Sequence, residues 1–365
     1  MQHLLPLAAI LLLSIIPVEA EVVASVEHCN EFFLQQTPPQ IPGILEGGII
    51  QDKTRYKWIC QTYKNRKTFV TLYDTHNKIP VFSAAQYRGE DGEIIVKRPK
   101  WMIEPQLENM LDNRNMRGSN ENTIYEHQAE NENYKNGLNF TRGHLFPRSY
   151  GSNYIEQRST FTMTNIVPQK DKFNHGSWNK MEKCVKCVFN NHCKNEETFV
   201  VIGAKPSDSR LNHLINIPSV LWSAFCCYSE KQGRWLASAH WGKNNRNGPK
   251  YLLTRTLADL KKTLRIEPFP QKECPLDTTV SHLYSDLSSN CNCSPTSVPF
   301  TNTSTPSDSS PVKVSLGKRP TPKGKRFLSK SQIKITEFVK NEKLNSVRDV
   351  KVKLKSVFEQ LKPNA

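Results

Sequence analysis

The chain has little that would seat it in a membrane. Its one apolar run, Leu4 to Ile16, is shorter than the roughly 18 residues a helical span needs. No later stretch is long and apolar enough to cross a bilayer as a helix. The chain also lacks internal repeats, which excludes a solenoid or a propeller. Strand-like and helix-like patterns do not alternate regularly, which argues against a doubly wound parallel sheet. Nothing in it resembles a base-reading motif of a sequence-specific nucleic-acid binder.

The opening segment has no Lys or Arg, but its apolar middle is followed by the small-residue pattern Val18-Glu19-Ala20. It reads as a secretory signal peptide covering residues 1–20, and hence as a mark of an extracellular protein. Export changes the meaning of the ten cysteines: Cys29, Cys60, Cys184, Cys187, Cys193, Cys226, Cys227, Cys274, Cys291 and Cys293. An even count in an oxidising compartment reads as disulfides, with no pairing set by the sequence. The alternative is zinc ligation by Cys184, Cys187, Cys193 and His192.

Charge is the other abundance. There are 50 Lys and Arg against 34 Asp and Glu, a formal +16 over 365 residues. Residues 311–365 hold 15 basic and 4 acidic residues, or +11, which leaves +5 for everything before them. A basic tail favours polyanions; the plainer reading is a solvated tail with no dedicated partner.

Tyr56–Thr62 and Thr68–Tyr73 are aromatic and β-branched, and Lys64–Lys67 between them reads as a hairpin. Val81–Tyr87, Phe161–Asn165, Thr198–Ile202, Val220–Tyr228 and Trp235–Trp241 are further strand candidates. Helical patterns are expected near Glu31–Phe33, from Gly176 to about Phe189, and within Gly248–Leu264, while residues 112–136 read as irregular. Mixed elements without βαβ order give an α+β class. Residues 276–330 form a Ser/Thr/Pro-rich, then basic linker. Residues 331–365 form a basic tail in which Ser346–Leu361 is an amphipathic helix with Val347, Val350, Leu354, Val357, Phe358 and Leu361 on one face. Such a helix packs on the main domain or on its own copy, or else contacts an anionic membrane or another polyanion.

Between these parts, residues 142–182 concentrate the chemistry. Arg142-Gly143-His144, Thr164-Asn165-Ile166-Val167-Pro168-Gln169 and Asn174-His175-Gly176-Ser177-Trp178-Asn179-Lys180-Met181-Glu182 follow one another closely. A histidine near its neutral pH range can take a proton from water. An amide oxygen and a carboxylate suit a hard cation, and a guanidinium suits a phosphate. In a straight helix Asn174 and Glu182 would stand roughly 12 Å apart, so both could reach one ion only if the chain bends first.

These blocks resemble the signature of the DNA/RNA non-specific endonucleases, Asp-Arg-Gly-His, Asn-x-x-Pro-Gln and Asn-x-Gly-x-Trp-x-x-x-Glu. Tyr56–Tyr63 and Leu72–Ser83 support a narrower match to secreted members, and the likeness covers roughly residues 27–270. It implies a ββα-metal fold, a central mostly antiparallel sheet flanked by helices, with the nuclease domain at residues 21–275. It implies His144 as general base, Asn174 as ligand of a hydrated Mg2+ with Mn2+ as substitute, and Glu182 ordering a metal-bound water. Arg142 would clamp the phosphate, and Asn165 and Gln169 would be polar groups beside the substrate. DNA and RNA are the implied substrates. One position departs: the signature's aspartate is Thr141 here, which creates the N-glycosylation acceptor Asn139-Phe140-Thr141. Asn292 and Asn302 begin two more. That departure keeps a second reading open, a weakly catalytic glycoprotein that binds nucleic acid or another polyanion.

Overall fold

The computed structural model describes residues 21–283, apart from 91–98, 121–122, 136 and 138. The signal segment, most of the linker and the amphipathic tail lie outside the described residues.

Nine strands organise this part: β1 (Val22–Val23), β2 (Tyr56–Tyr63), β3 (Arg66–Asp74), β4 (Ile79–Gln86), β5 (Phe140–His144), β6 (Ile166–Lys170), β7 (Thr198–Lys205), β8 (Val220–Ser229) and β9 (Arg234–Lys243). The three longest α-helices that accompany them are α1 (Tyr154–Ser159), α2 (Asn179–His192) and α3 (Leu257–Leu264). Seven strands make one antiparallel sheet in the order β1-β2-β3-β4-β7-β8-β9, and β5 pairs with β6 separately. The α+β class expected from the sequence is therefore the class observed.

Both faces of the large sheet are covered, so its central strands read as near-continuous apolar runs. Val200 and Ile202 face a core shared with Phe146, Trp178, Val185 and Phe189, on the α2 side. Val201 and Cys226 face a second core with Phe33, Trp58, Phe82 and Leu260, on the α3 side. Adjacent strand residues point to opposite faces, which lets neighbouring cysteines staple both layers. Cys227 joins Cys193 at the end of α2, and Cys226 joins Cys274 after α3. Cys29 joins Cys60 on β2. Cys184 and Cys187 are disulfide-bonded as well, which overturns zinc ligation there.

Several elements differ in detail from the sequence reading. The β2–β3 turn is only Lys64-Asn65, at φ 50° and 59°, a left-handed pair whose twist matches the strands it joins. Phe161–Asn165 is not a strand. The chain turns through Met163–Asn165, pinned by the Asn165 side chain, and extends as β6 only afterwards. Gly143 lies inside β5. Helix α3 starts late, where Thr256 and Asp259 cap each other's backbone N–H groups.

Candidate active site

Strands β5 and β6 run antiparallel, with His144 opposite Ile166, Gly143 opposite Val167 and Thr141 opposite Gln169. The chain leaves β6 through a single turn, Asp171–Phe173, and a wider π turn, Asn174–Trp178, into α2. Gly176 departs from helical geometry inside that turn, at φ −97° and ψ −111°. Asn174 and Glu182 are thus not eight residues apart on one straight helix, and the 12 Å separation does not apply. The bend comes before the helix proper.

Asn174 has helical φ and ψ, so it is no N-cap. Its Nδ2 donates to Thr141 Oγ1 at 2.8 Å, and Thr141 Oγ1 donates to the Gln169 carbonyl at 3.2 Å. Because the hydroxyl spends its proton on that carbonyl, its lone pairs are left to accept from Asn174. This relay sets the amide orientation, and no described group donates to Asn174 Oδ1. Glu182 sits one helical turn beyond Trp178. Burial pushes its carboxyl up to about 8, against the smaller lowering effects of the Trp178 indole and Lys183. At neutral pH this group largely keeps its proton unless a cation replaces it.

Arg142 and His144 point to the other side of β5. The His144 ring meets Phe161 edge-on at 4.9 Å and lies 5.4 Å from Trp101. The Arg142 guanidinium lies over Tyr134 at 5.4 Å and Trp101 at 6.0 Å, and its Nη2 donates to the Asn131 carbonyl at 2.8 Å. Trp101 therefore braces both residues. Sequence reading missed it because only the folded chain brings Trp101, some forty residues upstream, against Arg142 and His144. It also missed Lys170, whose ammonium sits 3.6 Å over the Phe140 ring, with its pKa lowered by burial and then by Arg246. Two crowded cations at the end of the β5–β6 pair make a favourable place for a polyanion.

Asn165 and Gln169, expected beside the substrate, are both buried. Asn165 is fully buried and spends its whole amide on structure. Its Oδ1 accepts from the Phe146 N–H and the Ser83 hydroxyl, and its Nδ2 donates to the carbonyls of Phe146 and Thr160. These four bonds tie the end of the β5 segment to β4 and to the turn before β6. Gln169 is equally buried and folds over Gly143, where a Cβ would stand 2.7 Å from Gln169 Cβ and closer still to its Oε1. The glycine is needed for that overlap. Asn139 is exposed at the turn into β5, at φ 64°, so the chain enters the site from the surface. A cavity of about 330 Å3 lined by Tyr56, Val81, Trp222 and Ile266 opens on the far side of the sheet, away from these groups.

An antiparallel strand pair running into a kinked helix, with a histidine on the strand and an asparagine at the turn, is the ββα nuclease arrangement. Residues 48–263 match the model of the DNA/RNA non-specific endonucleases, and the chain belongs to that family. The human endonuclease domain-containing 1 protein is 29% identical over 216 residues, 57% of this chain and 40% of that protein. The mouse endonuclease domain-containing 1 protein is 28% identical over 214 residues, covering 56% and 40%. The chain thus matches less than half the length of these relatives. Among solved structures, a chain from an EndoG/EndoGI complex aligns at 14% identity and a TM-score of 0.43, over 57% of this chain and 87% of that one.

Proposed function

We propose that the protein is a secreted, divalent-metal-dependent endonuclease that hydrolyses DNA and RNA with little sequence preference. The observation that carries this reading is the Thr141 relay, which presents the Asn174 amide oxygen without a competing donor. Among the described residues there is no cluster of three or more His, Cys, Asp or Glu side chains fit to cage a metal. The donor set suits an ion that keeps most of its waters, as Mg2+ does. Asn174 would hold it through the amide oxygen, and Glu182 would accept a hydrogen bond from one of its waters. The ion, when bound, neutralises charge on the phosphate and supports the leaving oxygen.

The remaining work falls to the chain itself. His144, held edge-on by Phe161, takes the proton of the attacking water. Arg142, fixed between Tyr134 and Trp101, holds a phosphate oxygen in place. Thr141 and His144 are three residues apart on β5, roughly 10 Å along a strand. A water, a phosphate and a hydrated cation fill such a span. No described strand pairs with the outer edge of β5, and the scissile phosphodiester is placed across it. The test is nicking of plasmid by secreted wild type and His144→Ala, with Mg2+, Mn2+ and chelator. Wild-type nicking that requires metal and is lost in the variant is expected, whereas chelator-resistant nicking would sink the mechanism.

Thr141 and the exposed acceptor Asn139 favour one second reading, a glycoprotein that binds nucleic acid with little turnover. Under it, His144→Ala keeps both nucleic-acid affinity and the wild type's negligible nicking.

A further inference from the structure

The carboxyl groups of Glu21 and Glu104 are both fully buried and face each other within reach of a shared proton. Glu104 Oε1 accepts from the hydroxyls of Thr162 and Thr164, and Glu21 Oε1 accepts from the Thr62 N–H at 3.3 Å. The second oxygen of each carboxyl, Oε2, is buried and accepts from no other described group. No described Lys, Arg or His pairs with either residue. Two carboxyls in a dry interior without a cation are costly. Burial raises both, and the charge of Glu104 raises Glu21 further.

Glu21 is also the residue directly after the expected cleavage point at Ala20. Its backbone nitrogen is buried too and donates to Gln106 Oε1 at 2.6 Å. Its carbonyl accepts from Cys60 N–H at 2.8 Å, and β1 pairs with Trp58 and Ile59 from the next residue on. Chain ends normally fray unless something ties them down; here order begins at once.

We propose that removal of residues 1–20 makes Glu21 the first residue, and that its new α-ammonium becomes the buried counter-ion of the Glu21–Glu104 pair. The inference rests on export of the chain but not on catalysis. Cleavage by water gives Ala20 a carboxylate and Glu21 an amine, and that amine takes up the proton the acid pair would otherwise have to retain. A peptide nitrogen carries no such charge, so the uncleaved chain cannot supply it.

The pair is wired to the active site. Thr164 donates to Glu104 at 3.0 Å, and Gln61 Nε2 donates to Thr164 at 2.9 Å and to Thr71 at 3.1 Å. Thr71 meets Ser83 at 3.0 Å, and Ser83 donates to Asn165 Oδ1, which holds the Phe146 N–H two residues after His144. Glu104 also follows closely on Trp101, and Thr162 follows Phe161, the two rings against His144. A filled counter-ion site therefore steadies the platform behind the general base.

The test uses the full chain secreted from cells, with its first residue read by mass spectrometry. It is compared with a chain carrying Gly-Ser inserted before Glu21, each with and without Glu104→Gln. The authentic folded chain is expected to begin at Glu21 and to label with an amine reagent at least about tenfold more slowly than the extended chain, as a buried group does. The insertion is expected to lower Tm more in the Glu104 background than in Glu104→Gln. A different first residue, a terminus cyclised with loss of water, equal labelling rates, or equal Tm losses in both backgrounds would each overturn it. Should Glu104→Gln fail to fold, the labelling comparison decides alone. None of these measurements uses nuclease activity, so the two proposals fail separately.

Discussion

Thr141 shows how a single side chain can stand in for a different one. The family signature has a carboxylate here, which would accept the Asn174 amide hydrogen. The hydroxyl does the same once its own proton is committed to the Gln169 carbonyl. Thr141→Val removes the acceptor and lets the amide turn its NH2 group toward the cation. The expected loss is about 10- to 100-fold in apparent Mg2+ affinity, the usual cost of losing a partner behind a ligand. Metal titration of nicking and calorimetry should both read it, with Tm nearly unchanged. Thr141→Asp restores an acceptor and is expected to bind metal at least as well as wild type. The family was readable in the sequence because the blocks that carry His144, Asn174 and Glu182 follow one another across one hairpin and one turn. Trp101 was not, since only the folded chain brings it against Arg142 and His144.

At the scale of elements, the β5–β6 pair depends on Gly143 because the buried Gln169 side chain crosses directly over it. Gly143→Ala cannot be absorbed by a flexible tip alone, since Gln169 Cβ is itself 2.7 Å from the added atom. The expected cost is about 1–3 kcal/mol, as for overpacking elsewhere, read as a lower midpoint in urea, with activity reduced beyond what that loss explains. Gln169→Ala in the same chain is expected to recover part of the stability. A bend and a close approach both call for glycine, and only the neighbour across the pair shows that Gly143 serves the second. The large sheet was legible because β2, β3, β7, β8 and β9 are apolar, aromatic or β-branched along much of their length. The turn at Met163–Asn165 was not. Phe161–Asn165 has strand-like composition, but the Asn165 side chain accepts two hydrogen bonds and donates two, three of the four with Ser83 and Phe146 far along the chain, and tertiary demand overrides local preference. The π turn was likewise out of reach, although the possibility that the chain bends before α2 followed from simple helix length.

Over the whole molecule, two kinds of charge behave differently. His240 is fully buried in β9, and burial holds its pKa down to about 4, while an unfolded histidine titrates near 6.5. Between those values the unfolded chain binds the proton and the folded chain does not. Stability is therefore intact above pH 6.5 and falls as pH drops through that window, by about 3 kcal/mol at most from this group. His240→Gln should flatten that part of the acid limb in urea titrations, and an unchanged slope would mean other groups carry it. Most of the formal charge, +11 of +16, is carried by residues 311–365. Each phosphate neutralised releases counter-ions, so binding falls with salt in proportion to the number of phosphates engaged. Deleting residues 311–365 should weaken DNA and RNA binding at low salt and lower the slope of log K against log salt by about 0.7–0.9 for each phosphate no longer neutralised. Nicking measured at saturating substrate should barely change, because His144 and Asn174 lie in the remaining domain. A slope that stays the same after deletion would show that the tail does not touch phosphates, and that basic residues before it, such as the crowded Lys170 and Arg246, supply the attraction.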